Sequence, residues 1–211
     1  MKVLLVNGSP HKEGCTYTAL CEVSDALIKN GIETDIFWIG VQPISGCIAC
    51  KACVKNGNCA LGGSVNGFLE IAGDYDGFVF GTPVHWGAAS GGMTSFMDRA
   101  FYADHCGGGK RFMMKPAAAV VSARRAGTTA TWDQINKYFA LMQMPIISSR
   151  YWNIVHGATP EQVKKDLEGM QTMRILGKNM AFFLKCKEAG LKAGIMMPEQ
   201  ETVTFTNFIR E

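Results

Sequence analysis

The chain has 211 residues, 47% apolar and 18% charged, which excludes an intrinsically disordered polypeptide and leaves ample length for a buried core without disulfide or metal staples. Its 21 basic and 18 acidic residues leave a net charge of +3. They form no polybasic stripe for a nucleic acid or an anionic membrane. No apolar run approaches the ~18 residues of a membrane-spanning helix, and the opening apolar stretch turns polar at Asn7, too early for a secretory signal. These features point to a cytoplasmic protein with neither nucleic acid nor membrane as partner, in which eight cysteines are better explained by something other than disulfides.

In chain order, Lys2–Val6 predicts a strand that stops at the turn formers Asn7-Gly8-Ser9-Pro10. From Thr16 a helical period sets in, with Tyr17, Leu20, Cys21, Leu27 and Ile28 on one face and Asn30-Gly31 as its end. Thr34–Ile39 reads as a second strand. An irregular, cysteine-rich stretch spans 41–63, and a short helix covers about Val65–Ala72. Phe78-Val79-Phe80 predicts a third strand ending at Gly81-Thr82-Pro83, followed by a helix around Met93–Phe101. Ala117–Val121 is the fourth strand, apolar throughout as for a strand covered on both faces. Trp132, Ile135, Phe139 and Met142 mark the next helix, and Pro145-Ile146-Ile147-Ser148 begins a fifth strand. Thr159-Pro160-Glu161-Gln162 is a helix start with a cap, a proline at the first position and a capping-box partner. The helix is expected to run to about Glu188 before a polar tail.

Strands alternating with helices imply a parallel sheet in one domain over 1–211, with a C-terminal helix and tail at 160–211. Ligands of such sheets bind beyond the carboxyl ends of the strands. The loop Ser9-Pro10-His11-Lys12-Glu13-Gly14-Cys15-Thr16 joins a strand to a helix N-terminus, where unpaired N–H groups and the helix dipole favour an anion. Ser9, Thr16 and Thr18 can add hydroxyl donors, and His11 a further donor or charge. Neither GxGxxG nor GxxxxGK[ST] is present, which argues against dinucleotide-binding and triphosphatase loops.

Gly8-Ser9-Pro10 with Gly14 and Thr16 resembles the phosphate loop of the NADPH-dependent FMN reductases. The segment Gly81-Thr82-Pro83-Val84-His85-Trp86-Gly87, with Phe96-Met97-Asp98-Arg99 after it, resembles that family's second flavin loop, and Ser122-Ala123-Arg124-Arg125-Ala126-Gly127 its third. The resemblance implies a flavodoxin-like fold, five parallel strands in the order 2-1-3-4-5 with helices on both faces. It implies FMN held by Ser9, His11, Gly14, Cys15, Thr16 and Thr18, by Thr82 through Gly87, and by Ser122, Ala123, Arg124, Arg125 and Gly127. Pro83 and Trp86 would line the slot for the isoalloxazine ring, while Arg124 and Arg125 would meet the ring edge or the 2′-phosphate of NADPH. The family often has Arg at His11, Asn or Ser at Cys15 and Tyr at His85, so this site carries less fixed positive charge.

Cys47, Cys50, Cys53 and Cys59 follow the pattern C-x₂-C-x₂-C-x₅-C, in which closely spaced thiolates can wrap one inorganic cluster. The spacing resembles that of the iron–sulfur flavoproteins, a branch of the same family carrying a [4Fe–4S] cluster. Structural zinc and a thiol-rich loop without metal remain as alternatives. Among the other cysteines, Cys21 is expected in the core, and His105-Cys106-Gly107-Gly108-Gly109 as a surface loop rather than a metal site. The methionines are expected to be packing residues.

The function implied is an FMN-dependent NAD(P)H oxidoreductase that passes electrons to a quinone, an azo or nitro compound, a flavin or an iron–sulfur acceptor. A flavodoxin-like or iron–sulfur flavoprotein electron carrier without its own substrate is one alternative, and a regulatory protein that has lost FMN is another. The resemblance further implies a homodimer or homotetramer, with Val203, Phe205 and Phe208 against a neighbouring subunit.

Overall fold

The computed structural model describes residues 1–204, 206 and 208. The first strand, β1 (Lys2–Asn7), buries every side chain from Val3 to Asn7, as its unbroken apolar run requires between two layers of helix. The chain then continues through α1 (Cys15–Lys29), β2 (Glu33–Trp38), α2 (Ser64–Ala72), β3 (Gly77–His85) and β4 (Ala88–Ala89). It goes on through α3 (Gly91–Cys106), β5 (Ala117–Ala123), α4 (Thr128–Leu141), β6 (Ile154–His156), α5 (Pro160–Lys165) and α6 (Leu167–Lys192). Five strands form a parallel sheet in the order β2-β1-β3-β5-β6, the flavodoxin-like order expected, and the two-residue β4 pairs antiparallel with β3. The chain steps from β1 outward to β2, then back across to β3, so the loops leaving β1 and β3 diverge and open a crevice.

Strand alternation sends neighbouring side chains to opposite layers. Leu4, Val6, Phe78 and Phe80 join Phe68 and Phe96 on the side of α2 and α3, whereas Val3, Leu5, Val79 and Val120 pack with Leu20, Leu27, Met173 and Met180 of α1 and α6. Phe68 is the hub of the first layer, its ring centroid 5.2 to 6.2 Å from those of Phe37, Phe78, Phe80, Phe96 and Phe112. Seven methionines, including Met93, Met97 and Met173, are buried as packing residues.

The structure departs from the sequence reading in four places. The third strand does not stop at Gly81-Thr82-Pro83 but continues to His85, because Gly81, Thr82 and Pro83 keep pairing with Val120, Val121 and Ser122 of β5. The fifth strand lies at Ile154–His156 rather than at 145–148. Ile146 makes only an isolated bridge to Ala117, and the chain then loops out, held by Ser149 Oγ bonding Tyr151 O and Asn153 Oδ1. The C-terminal helix breaks after Lys165, where the Asp166 side chain accepts both Gly169 N–H, capping α6, and His156 N–H. On α1, Ile28 is exposed and Cys21 only half-buried, while Val23 and Ala26 take the core positions. The cap at Thr159 forms as read, accepting Gln162 N–H at 3.3 Å. In the tail Val203 and Phe208 are exposed, and Phe205 lies outside the described residues.

Gly177 on α6 lets that helix approach α1: a Cβ there would lie 2.7 Å from both Ala26 Cβ and Val23 O. Gly177→Ala should lower the thermal midpoint, because overpacking of about 1–3 kcal/mol outweighs the ~1 kcal/mol gain in helix propensity. Gly67→Ala on α2, where a Cβ would meet nothing within 4 Å, should raise it.

Candidate functional site

Asn7, buried at the end of β1, organises the loop that follows. Its Nδ2 donates to Lys12 O and its Oδ1 accepts Ser9 N–H, while Ser9 Oγ accepts His11 N–H and Trp38 Nε1 donates to Ser9 O. Gly8 N–H donates to Gly81 O at 2.8 Å, and a side chain at Gly8 would strike Met93 Sδ. The loop thus satisfies its own polar groups and leaves the Ser9 hydroxyl proton free to donate. Helix α1 starts with Gly14 as N-cap, no side-chain capping bond and no acidic residue in its first turn. Its leading N–H groups are therefore available to an anion.

The hydroxyls divide by role. Thr16 Oγ1 and Ser122 Oγ are 2.8 Å apart and buried, tying the start of α1 to the end of β5 with one hydroxyl proton left over. The sequence reading offers Thr18 as a donor to the anion, yet its Oγ1 donates to Gly14 O within the helix. Thr82 likewise turns inward, its Oγ1 accepting Ser90 N–H and donating to Pro83 O. Ser90 escaped the sequence reading. It caps α3 by accepting Met93 N–H and donates to Gly8 O, linking the first two loops. The available signal was a serine three residues before Met93, where an apolar helical pattern begins.

Beyond Thr82 the backbone runs into a two-residue hairpin turn at Trp86 and Gly87, with φ of 51° and 84°. Two successive positive φ values are the type I′ pattern, to which Gly87 is suited and Trp86 is not. Trp86 stands fully exposed at the apex. The third loop rests on this hairpin at Gly127, whose φ is 88° and whose added Cβ would lie 2.9 Å from Gly87 Cα and Val84 Cγ1. Arg124 and Arg125 are exposed and, among the described residues, neither makes a side-chain hydrogen bond or ion pair.

Where the three loops meet lies an open cleft of about 250 Å³. The first loop contributes Ser9, His11, Cys15 and Thr16, the second Pro83, Val84 and His85, the third Ser122, Ala123 and Arg124. Gly157 and Ala158, after β6, close its far wall and were not anticipated. Cys15 Sγ is 3.6 Å from Gly157 O, and burial pushes the thiol up, keeping it neutral. Gly14 lines an adjoining hollow with Pro10–Cys15 and Thr159, and a second hollow between Gly40–Ile44 and Gly91 shares His85 with the cleft. Thr18, Thr82, Trp86, Gly87, Arg125 and Gly127 stand outside the lining of the cleft itself.

The cysteine-rich segment leaves β2 at the same end of the sheet and crosses onto α2 and α3. Cys47, Cys50, Cys53 and Cys59 line one small cavity of about 20 Å³, with Ile48 and Leu61 as apolar wall and Arg99 at its side. Ala49 and Lys51 on either side of Cys50 have φ of 52° and 58°, an alternation from which anion-binding backbone nests are made. Burial pushes the Cys53 thiol up. Arg111 clamps the segment, donating to Gly57 O, Asn58 Oδ1 and Leu69 O while paired with Asp104. Gly57 and Gly107 touch backbone to backbone, leaving no room for a Cβ at Gly107. The stretch from His105 thus serves as a support for the cysteine loop. Among the described residues no three His, Cys, Asp or Glu side chains are gathered closely enough for a single metal ion. Tetrahedral zinc with bonds of about 2.3 Å demands that tighter grouping, whereas an inorganic cluster holds its ligands further apart. No helix among these residues is long and apolar enough to cross a membrane.

The family of NADPH-dependent FMN reductases matches residues 1–159. An iron–sulfur flavoprotein of Methanocaldococcus jannaschii is 30% identical over 190 residues, covering 88% of this chain and 98% of that protein. One from Archaeoglobus fulgidus is 29% identical over 192 residues, covering 87% and 97%. Among solved structures, a flavodoxin from the domain Archaea superposes with a TM-score of 0.59 at 14% identity, over 88% of this chain and 99% of that one, a likeness of fold.

The Thr16–Ser122 pair admits a double-mutant test. Thr16→Val and Ser122→Ala should each lower unfolding stability by about 1–3 kcal/mol, since each leaves a buried hydroxyl alone. The double variant should lose less than the sum, as read by urea denaturation.

Proposed function

The chain belongs to the NADPH-dependent FMN reductase family, and on that premise we propose that it is an FMN-dependent oxidoreductase of the iron–sulfur flavoprotein kind. The residues fit FMN. An uncapped helix start without acidic side chains suits one phosphate monoester, which Ser9 Oγ and His11 would also meet. Pro83, Val84 and His85 lie beside Ser122, Ala123 and Arg124 along one cleft, Pro83 and Ser122 being paired on neighbouring strands, and together they would support the ring. The donor set also fits a [4Fe–4S] cluster, with Cys47, Cys50, Cys53 and Cys59 as its ligands in an apolar-walled cavity. When bound, FMN supplies two-electron chemistry and a cluster one-electron chemistry, so a chain holding both couples the two kinds of donor and acceptor.

The observation that carries the reading is that all four clustered cysteines border one cavity. Full-length relatives named iron–sulfur flavoproteins support it. Anaerobic reconstitution with FMN, iron and sulfide should give flavin bands together with a broad shoulder, and equal parts of iron and acid-labile sulfide. Cys50→Ser should lose the shoulder and keep the flavin bands. The same preparation, sized by sedimentation, should be a homodimer or homotetramer. Flavin bands without iron or sulfide in the wild type would overturn the cluster assignment.

A second reading, direct use of NAD(P)H with transfer of its electrons to a quinone, an azo or nitro compound, free flavin or an iron–sulfur centre, is favoured by Arg124 and Arg125. Both side chains are exposed, Arg124 lining the cleft and Arg125 following it in the chain, and among the described residues neither has a hydrogen-bond or ion-pair partner; they would meet a 2′-phosphate. FMN-loaded protein should oxidise NADPH with a quinone acceptor, and Arg125→Ala should raise KM for NADPH more than for NADH. An absence of turnover would leave the carrier role instead.

A further inference from the structure

Arg99 sits on the buried face of α3 with 5% of its surface exposed. A guanidinium stays protonated in a protein, so this is a permanent charge held away from water, and such a charge is strongly unfavourable unless an anion answers it. Among the described residues no carboxylate pairs with Arg99. Its Nη2 donates to the neutral Gly62 O at 2.6 Å, and its Nε donates to Cys59 Sγ at 3.2 Å. The contrast with Arg111 is instructive, since that residue also grips the cysteine segment but has Asp104 as counter-ion. The groups lining the cavity beside Arg99 that can carry negative charge are the sulfurs of Cys47, Cys50, Cys53 and Cys59 and the phenol of Tyr102, the last pushed away from ionisation by its hydrogen bond with Cys106. Lys51 and Lys55 also lie in this segment, but both are exposed, and water and salt screen them.

We propose that Arg99 is the counter-charge of the cluster assigned above to these cysteines, and that its hydrogen bond to Cys59 Sγ raises the cluster's one-electron reduction potential; this rests on that assignment. One electron added to the cluster adds one negative charge to a group already anionic through its thiolates. A fixed positive charge beside it, with an N–H aimed at a ligand sulfur, favours the reduced form over the oxidised one. The donor of that electron is the reduced flavin or an external one-electron carrier, and no proton need accompany it. Arg99 is thus a positioning and tuning residue that acts through a ligand sulfur.

The proposal makes opposite forecasts for loaded and cluster-free protein. In anaerobically reconstituted chain, an EPR-monitored redox titration of R99Q should show the cluster at least tenfold harder to reduce, a fall of about 59 mV or more. R99K, which keeps the charge but loses the planar fork, should fall less. In iron-free chain, which lacks the negative charge of the cluster, R99M should raise the thermal midpoint, because it removes a buried cation that has no carboxylate partner. The role of Arg99 is overturned if the R99Q cluster titrates at the wild-type potential, or if iron-free R99M is less stable than wild type. A wild-type chain that takes up neither iron nor sulfide would instead bring down the cluster assignment, and this proposal with it.

Discussion

An α-helix whose first turn lacks any side-chain cap is the constraint around which the site is built. Leading N–H groups of such a helix must find acceptors, and here Gly14 supplies none. The surrounding loop does not fill the gap, because its own polar atoms are already spent on one another, Asn7 serving as the internal partner at both ends. What remains directed at the cleft is a set of donors: backbone amides, the Ser9 hydroxyl and the proton left over between Thr16 and Ser122. A cleft that offers donors and no carboxylate accepts an anion.

The same economy governs the other two loops. Thr82 reads as a ligand-facing residue in the sequence, yet it and Ser90 bind each other's turn and hold the β1 and β3 loops together. Their contribution is to keep the cleft walls at fixed separation. Gly127 does the equivalent for the third loop, where the left-handed backbone and the contact with Gly87 leave space only for hydrogen.

The cysteine segment shows how an irregular loop can be held without strands or helices of its own. Two buried or half-buried arginines and one glycine–glycine contact anchor it to α2 and α3. One arginine brings its own carboxylate and acts as a neutral clamp. The other brings none, and its charge is left facing sulfur. Electrostatics of this kind are written in three dimensions, since Cys59 and Arg99 are forty residues apart.

Local patterns in the sequence decided the alternation of strand and helix, the parallel sheet and the three loops at its carboxyl edge, because these follow from side-chain period and turn chemistry within a few residues, whereas the strand order came from the family resemblance. The cap at Thr159 and the four-cysteine spacing belong to the same class. Tertiary structure decided which hydroxyls face the cleft, that β3 passes through Gly81-Thr82-Pro83, that pairing beside β5 resumes at Ile154, and that Asp166 divides the last helix. It also supplied Ser90, Gly157, Ala158 and the two arginines. Each of these depends on a hydrogen-bond partner or a packing neighbour far away in the chain, and a one-dimensional pattern holds no record of which distant groups will satisfy one another.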